Sequence, residues 1–295
     1  MKSTLSQIRL PTETDYIGVY LTNKCFLACP YCITNQADAF INVRHYDELQ
    51  PEEWIAGLNR LVLPANVPVT FEGGEPFLYK GIWTLLENVR HKIDILTALP
   101  PQVTVEKFKQ LKSLDWNSRP SPYPTIRVSY HHGQNDYREL IGRIRSLQEV
   151  VSIGLYHIEH PDYPQLTQEI RREADEAGIE FRTKAFLGTW QDKLYGQYKY
   201  PDACVGQQPT HKHVLCRNSV FPIAPNGDVY RCHSDLYSGY AGGVIGNLLD
   251  QELNMDFHYR DCDHYGTCSP CDVKIKTNHL QQFGYTSIDV KFDET

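Results

Sequence analysis

A regular alternation of short apolar runs with segments of helical spacing, between residues 16 and 186, most strongly constrains what this chain can fold into. Runs rich in β-branched and aromatic residues predict strands at residues 16–22, 67–72, 93–96, 125–130, 150–156 and 179–186. Helical spacing predicts helices at residues 51–63, 81–92, 104–114, 136–147 and 165–177. Because strand–helix steps in series build a parallel sheet with helices outside, we predict an α/β fold with either an open sheet or a partial barrel.

The sequence changes character after about residue 200, where Gly, Pro, Asn, Asp and Cys become frequent and only short strands are predicted, at residues 220–223, 229–232 and 244–245. This segment has too little apolar periodicity to build a large core, so a metal site is expected to hold it together. We therefore predict an N-terminal extension (residues 1–15), the α/β unit (16–200) and a small, irregular, cysteine-rich C-terminal domain (201–295).

Charge and hydropathy exclude several kinds of protein. The net charge of −7 and the isoelectric point near 5.9 argue against nucleic-acid binding through a broad basic surface. No apolar run approaches the length of a membrane span, and the N-terminus lacks the apolar stretch of a signal peptide, so a cytoplasmic location is expected. Thiols stay reduced there, and the nine cysteines cannot all pair within one chain, so metal binding or catalysis is the favoured interpretation of them.

Three of the cysteines, Cys25, Cys29 and Cys32, form a C-x3-C-x2-C pattern directly after the first predicted strand. Three thiolates can bind three irons of a [4Fe–4S] cluster and leave the fourth iron open. A structural zinc site is the alternative, but it needs a fourth ligand, and the nearest imidazole is His45. Three unrelated buried cysteines are the remaining interpretation.

Two motifs together resemble a known family. The cysteine loop, with an aromatic residue (Tyr31) just before Cys32, resembles the cluster loop of the radical S-adenosylmethionine (radical SAM) superfamily. The sequence FEGGEP at residues 71–76, at the end of the second strand, resembles that family's GGEP motif. The resemblance covers roughly residues 16–190 and implies a partial (β/α)6 barrel.

The resemblance also implies roles for residues of both motifs. The three cysteines of the loop would bind a [4Fe–4S] cluster, and SAM would chelate its fourth iron. Gly73, Gly74 and Glu75 would lie against the methionyl amine, with Glu75 accepting a hydrogen bond from it. Tyr31 is expected to contact the cofactors.

Two further positions are expected to contact SAM. Residues 127–133, at the end of the fourth strand, resemble the family's ribose-contacting stretch. Within it, only the family's role for the serine is carried over, to Ser129. Arg182 on the sixth strand is predicted to meet the SAM carboxylate, with Lys184 as an equal competitor. The alternatives are a strand that ends in ordinary polar residues and an exposed salt bridge.

The C-terminal cysteines suggest a second site. Cys216 and Cys232 flank an Asn-Gly hairpin turn, and Cys268 and Cys271 form a C-x2-C knuckle, which together would supply four ligands. A zinc ribbon fits these ligands equally well. The spacing also resembles the SPASM/Twitch extension of radical SAM enzymes, which implies one auxiliary [4Fe–4S] cluster, with two clusters as the alternative.

Cys204 and Cys262 are then left over. The simpler interpretation is that they are spare thiols or alternative ligands. The more specific hypothesis is that one of them lies in the active site as a hydrogen-atom donor, as in radical epimerases that resemble this architecture.

The resemblance implies an enzyme that cleaves SAM to a 5′-deoxyadenosyl radical, which abstracts hydrogen from a C–H bond. A small polyol, aminocyclitol or sugar-type substrate is the leading prediction, and the outcome would be oxidation or epimerisation. The alternative is epimerisation or crosslinking of a ribosomally synthesised peptide. A non-catalytic iron–sulfur or zinc-binding regulator is the rival from another class. A flavodoxin- or ferredoxin-type electron donor is the expected partner, and neither membrane nor nucleic acid is.

Overall fold

The fold is taken from a computed structural model that describes residues 6–32, 47–204, 213–276 and 286–292. His45, the alternative zinc ligand, lies outside the described residues. The strands are β1 (Ile8–Arg9), β2 (Tyr16–Thr22), β3 (Leu61–Val62), β4 (Val69–Gly73), β5 (Ile93–Thr97), β6 (Ile126–Tyr130), β7 (Ile153–Glu159), β8 (Phe181–Ala185), β9 (Gly188–Trp190), β10 (Lys193–Tyr195), β11 (Val214–Asn218), β12 (Val220–Ile223), β13 (Asp228–Tyr230), β14 (Val244–Asn247), β15 (Arg260–Cys262) and β16 (Ile288–Phe292). The helices are α1 (Pro51–Leu58), α2 (Ile82–Asn88), α3 (Val105–Lys109), α4 (Tyr137–Leu147), α5 (Leu166–Glu176), α6 (His233–Ser238) and α7 (Pro270–Val273).

The central sheet has nine strands in the order β14-β13-β12-β2-β4-β5-β6-β7-β8. Its six strands from β2 to β8 are parallel, as the alternating pattern predicts, and helices connect most of them. The sheet is open, since β8 and β14 are its two edges. The predicted α/β fold with a partial barrel is therefore confirmed, although α3 is shorter than the predicted helix at residues 104–114.

The two faces of this sheet have different chemistry. One face is apolar and packs with the helices in a single buried cluster that includes Ile17, Val19, Phe71, Ile95, Val128, Trp54, Leu85 and Ile144. The other face carries polar and aromatic side chains at alternate positions, among them Tyr16, Tyr20, Glu72, Asp94 and Arg127. Since successive side chains of a strand point to opposite faces, one amphipathic pattern produces both the core and a polar cleft.

The first predicted helix ends earlier than its pattern indicates. The helix at residues 51–63 stops at Leu58, and β3 follows and pairs with β1 in parallel. Arg60 explains the change, because its side chain is 5% exposed and donates to the backbone carbonyls of Ser6 (2.6 Å) and Gln251 (3.0 Å). The guanidinium therefore ties the N-terminal extension to the C-terminal part of the chain, which a continued helix would prevent.

The C-terminal segment continues the central sheet. Strand β12 pairs with β2 in parallel, with Val220 opposite Tyr16, and β13 follows through the predicted Asn-Gly turn. The predicted strand at residues 229–232 ends at Tyr230, because Cys232 caps the N-terminus of α6. Three of the described strands of this segment thus belong to the same sheet as the barrel.

The remaining C-terminal strands form a separate antiparallel sheet in the order β15-β11-β16, which the sequence pattern did not predict. This sheet packs over a small buried cluster that includes Val214, Tyr265, Cys268 and Val273. Among the described residues, no helix combines the length and the apolarity that crossing a bilayer requires.

An ion cluster on the polar face of the sheet gives a test of the fold. Asp94 is fully buried and accepts hydrogen bonds from Arg119 (2.6 Å), Arg127 (3.2 Å) and Tyr123 (3.0 Å). Asp94→Asn would leave two buried guanidinium groups without a counter-charge, so we expect the free energy of unfolding to fall by about 3–5 kcal/mol. Denaturant unfolding under anaerobic conditions measures this change. Glu176→Gln, in an exposed pair, is the control and should leave the midpoint unchanged. An equal midpoint for both variants would contradict the role of the cluster.

Candidate active site

The cysteine loop follows β2 and lies at the carboxyl end of the parallel strands, where α/β folds place their chemistry. Cys25 is exposed, Cys29 is 7% exposed and Cys32 is half-buried. The backbone N–H of Leu27 donates to the Sγ of Cys25 at 3.4 Å, and that of Cys32 donates to the carbonyl of Cys29 at 3.1 Å. Burial and the charges of Cys32 and Cys25 raise the pKa of Cys29 to about 12, so the three thiols lie close enough to influence one another.

The donor set of this loop fits an iron–sulfur cluster. Three thiols of one short loop face the same edge of the sheet, and soft sulfur ligands suit iron. Within the described residues, no three His, Cys, Asp or Glu side chains stand close enough together to hold a single metal ion. A four-iron cube distributes its ligands over separate iron atoms, so its thiolates stand further apart than those around one ion.

Aromatic side chains dock the loop over the neighbouring strand ends. The ring of Tyr31 lies 6.0 Å from that of His131, 5.1 Å from that of His160 and 5.9 Å from that of Phe186. These residues follow β6, β7 and β8. Tyr31 thus closes the loop over the carboxyl ends of the last three barrel strands. The sequence analysis assigned no role to the two histidines, and the only signal was the position of His131 directly after a predicted strand.

The GGEP segment binds the cysteine loop through its backbone. The N–H of Gly74 donates to the carbonyl of Thr22 (2.9 Å), and that of Glu75 donates to the carbonyl of Lys24 (2.7 Å). Gly73 has φ +125°, and a Cβ on Gly74 would lie 2.2 Å from the carbonyl oxygen of Lys24. The glycines are therefore required for a close approach of two backbone segments, whereas the sequence analysis explained them by the approach of a ligand.

Glu75 is occupied by internal hydrogen bonds. Its carboxylate is 1% exposed and accepts from the N–H of Phe77 (3.0 Å), the hydroxyl of Thr97 (2.8 Å) and the N–H of Ala98 (2.7 Å). Burial raises the pKa of Glu75 to about 7, although these hydrogen bonds act in the opposite direction. The side chain thus joins the ends of β4 and β5, and its contact with the methionyl amine stays a prediction.

The other two predicted SAM contacts differ in position. Ser129 lies on the polar face of β6, opposite Tyr156 of β7. Arg182 donates to Glu180 (2.6 Å) and to the carbonyl of Pro122, which lie before β8 and β6 at the amino ends of the strands. The predicted contact of Arg182 with SAM at the carboxyl ends is therefore not supported, and the exposed salt bridge is the better interpretation. Lys184 lies two residues nearer the carboxyl end of β8.

Four C-terminal cysteines line a single cavity: Cys216, Cys232, Cys262 and Cys268. The set predicted from the sequence contained Cys271 in place of Cys262, and Cys271 does not line this cavity. Two local structures account for the difference. In the antiparallel pairing of β15 with β11, Cys262 lies opposite Val214, two residues from Cys216, and a hydrogen bond between the two thiols lowers the pKa of Cys262. The knuckle runs into α7, so its two cysteines face different sides.

The remaining two thiols, Cys204 and Cys271, do not line this cavity. Cys204 ends a short 3-10 turn and packs against the small C-terminal core, where burial raises its pKa to about 11. Cys271 lies on the barrel side, since Glu72 and Lys184 are among the groups whose charges act on its pKa, which burial raises. Cys262 lines the four-thiol cavity and Cys204 packs against the small C-terminal core, and the hypothesis that one of them is an active-site thiol stays a prediction.

The C-terminal helix α6 packs against one end of the polar face of the sheet, and we call the region between that face and α6 the polar cleft. The hydroxyl of Tyr16 donates to Glu72 at 2.8 Å, and the hydroxyls of Tyr20 and Tyr237 lie 2.8 Å apart. His233 at the start of α6 lies 6.5 Å from the ring of Tyr20. The sequence analysis did not identify this cleft, although polar residues at every second position of otherwise apolar strands were a usable signal.

Comparison with known proteins adds three findings. Residues 19–156 match the model of the radical SAM superfamily. Two curated GTP 3′,8-cyclases, from Clostridium perfringens strains SM101 and 13, are 33% identical over 148 residues, which cover 50% of this chain and 42% of theirs. Two structures of anSMEcpe with bound AdoMet, one with a histidine tag and one native, are 12% identical and cover 81% of this chain and 76% and 79% of theirs, with TM-scores of 0.52 and 0.51. These structures share the fold, and the chain matches less than half of the length of the curated relatives.

The contact between the GGEP segment and the cysteine loop can be tested at one atom. Gly74→Ala places a methyl group against the carbonyl of Lys24 and should push the loop away from β4. We expect the variant to lose most of the iron that the loop binds after anaerobic reconstitution, as measured by iron and sulfide analysis. The matched control is Gly142→Ala, in α4, where a Cβ meets nothing within 4 Å. Equal iron content in the two variants would contradict the proposed contact.

Proposed function

We propose that this chain, which belongs to the radical SAM superfamily, cleaves SAM reductively and acts on a C–H bond of a substrate bound in the polar cleft. The observation that carries the proposal is the cysteine loop, held by Gly74 and Glu75 to the end of β4, at the mouth of this cleft. When bound, the [4Fe–4S] cluster supplies one electron to SAM, which yields methionine and a 5′-deoxyadenosyl radical that abstracts hydrogen.

The residues of the chain would bind, position and shield the reactants. Cys25, Cys29 and Cys32 would hold the cluster at the carboxyl edge of the sheet. Tyr31 and its aromatic neighbours cover one side of this edge, and α6 contacts the polar face of the sheet through Tyr20. Exclusion of water and of other hydrogen donors protects a carbon radical from premature quenching.

A small polyol, aminocyclitol or sugar-type molecule is the proposed substrate, with oxidation or epimerisation as the outcome. The support is the chemistry of the cleft, where tyrosine hydroxyls, Glu72 and Lys184 offer hydrogen bonds to a polyhydroxylated molecule. Modification of a peptide remains the alternative. The likeness to proteins named GTP 3′,8-cyclase favours a nucleotide substrate and ring closure as a second candidate.

An auxiliary [4Fe–4S] cluster in the four-thiol cavity is part of the proposal. Cys216, Cys232, Cys262 and Cys268 supply four ligands from β11, the start of α6, β15 and the loop before α7. A cluster there would hold together the small C-terminal unit (residues 201–295) and could accept an electron in an oxidation. A flavodoxin- or ferredoxin-type protein in the cytoplasm is the proposed electron donor.

Cys271 does not line the four-thiol cavity, and it is the proposed hydrogen-atom donor if the reaction is an epimerisation. A thiol S–H donates a hydrogen atom to a carbon radical, and the charges of Glu72 and Lys184, both on the polar face of the sheet, act on this thiol. The proposal moves the role of hydrogen-atom donor from Cys204 or Cys262 to Cys271.

Reductive cleavage of SAM tests the proposed function directly. The reconstituted protein, incubated anaerobically with SAM and dithionite, should form 5′-deoxyadenosine, which liquid chromatography detects. The triple variant Cys25→Ala/Cys29→Ala/Cys32→Ala should form none and should retain about four irons if one auxiliary cluster is present. Absence of 5′-deoxyadenosine from a wild-type protein with full iron content would contradict radical SAM activity.

Single cysteine variants distinguish the two sets of auxiliary ligands. Cys262→Ala should lose auxiliary iron because it removes one of the four thiol ligands in the cavity. Cys271→Ala should keep the wild-type iron content, because Cys271 does not line the cavity. Iron and sulfide analysis, together with the visible absorption of the clusters, measures both. The reverse result would restore the set predicted from the spacing of the knuckle.

A further inference from the structure

The cleft carries an excess of positive charge in a protein whose net charge is −7. The charged side chains that act on one another there are Arg127, Lys184, Lys274 and Glu72, together with the ion pair between His233 and Asp272. The charges of His233 and Asp272 cancel each other. Arg127 also shares the carboxylate Asp94 with Arg119, so four cations face two carboxylates, of which Glu72 already accepts a hydrogen bond from Tyr16.

Arg127 is only partly neutralised. Its partner Asp94 is shared with Arg119, so one carboxylate serves two guanidinium groups. Within the described residues, the Nε of Arg127 and the Oε1 of Glu72 are buried without a hydrogen-bond partner. A buried polar atom that stays unpaired is costly, and a molecule bound beside them would pair the Nε as a donor and the Oε1 as an acceptor.

Lys184 is the most exceptional of these groups. The described residues offer its ammonium no ion pair, and its contact is with the ring of Tyr156, whose centroid lies 5.4 Å from Nζ. Burial and the positive charges of Arg127 and Lys274 lower the pKa of Lys184 to about 7. Lys184 is only partly exposed, which agrees with a position on the wall of a cleft. A long cation held without a counter-ion deep in a cleft is the arrangement that an anionic ligand would complete.

We propose that the substrate carries an anionic group, a phosphate or a carboxylate, which binds to Lys184 with Lys274 and Arg127 nearby, while Glu72 accepts a hydrogen bond from a hydroxyl or amino group of the same molecule. This inference rests on the proposed function, because it assigns the class of molecule that the radical chemistry acts on. It gives Lys184 to the substrate and not to the SAM carboxylate, for which the sequence analysis named this lysine as a competitor. It restricts the polyol and nucleotide candidates to charged members, such as sugar acids, sugar phosphates and nucleotides.

Calorimetric titration of the whole, anaerobically reconstituted protein with SAM present tests the inference. The probes are glucose, glucuronate and glucose 6-phosphate as one series, and guanosine and GTP as another. In at least one series, the charged probe should bind about ten times more tightly than the uncharged one, or better. Lys184→Met should weaken binding of that probe about tenfold to a hundredfold, because it removes a charge-assisted hydrogen bond. Lys184→Arg, which keeps the charge, should retain most of the affinity.

The control is Lys193→Met, an exposed lysine of β10, which should bind every probe as the wild type does. Tighter binding of the phosphate probes assigns a phosphate, and tighter binding of glucuronate assigns a carboxylate. Equal affinity for charged and uncharged probes, no binding of any charged probe, or an unchanged affinity in Lys184→Met overturns the inference. Circular dichroism and iron content exclude misfolding of the variants. The 5′-deoxyadenosine assay on the wild type reports separately on the proposed function, so the two failures are distinguishable.

Discussion

The hydrogen bonds between the backbone of Gly74–Glu75 and that of Thr22–Lys24 are the contact on which the rest of the site depends. They fix the start of the cysteine loop against the end of β4, and the Glu75 carboxylate then fixes that end against β5. Because the amide groups of both segments are paired in this way, three thiols separated by short spacings acquire a defined position at the edge of the sheet.

The cleft depends on a second contact, in which the C-terminal segment extends the central sheet. Pairing of β12 with β2 continues the barrel sheet and carries α6 onto its polar face, where Tyr237 meets Tyr20 and His233 faces Glu72. The change in composition suggested a barrel and a separate small cysteine-rich unit. One sheet, however, contains strands from both parts of the chain. The cleft is built by both parts of the chain.

The cysteines show how far sequence spacing can be interpreted. Spacing identified the first three as one site because a short loop cannot carry its members far apart. The same reasoning was weaker for the C-terminal group, whose members lie on β11, α6, β15 and α7. A C-x2-C knuckle presents both thiols to one metal in a loop, but here it enters a helix that turns them apart, and antiparallel pairing brings Cys262 in instead. Register between strands distant in sequence is not encoded in local spacing.

The sequence by itself determined the α/β class, the order of the six parallel strands and the location of the cysteine loop, because periodicity and short-range motifs express local physics. Only the tertiary structure decided which four cysteines share a cavity, that Arg182 pairs with Glu180, and that polar side chains from four strands and a distant helix come together around a positively charged cleft. These features depend on contacts between residues far apart in the chain, and such contacts exist only once the sheet has brought them together.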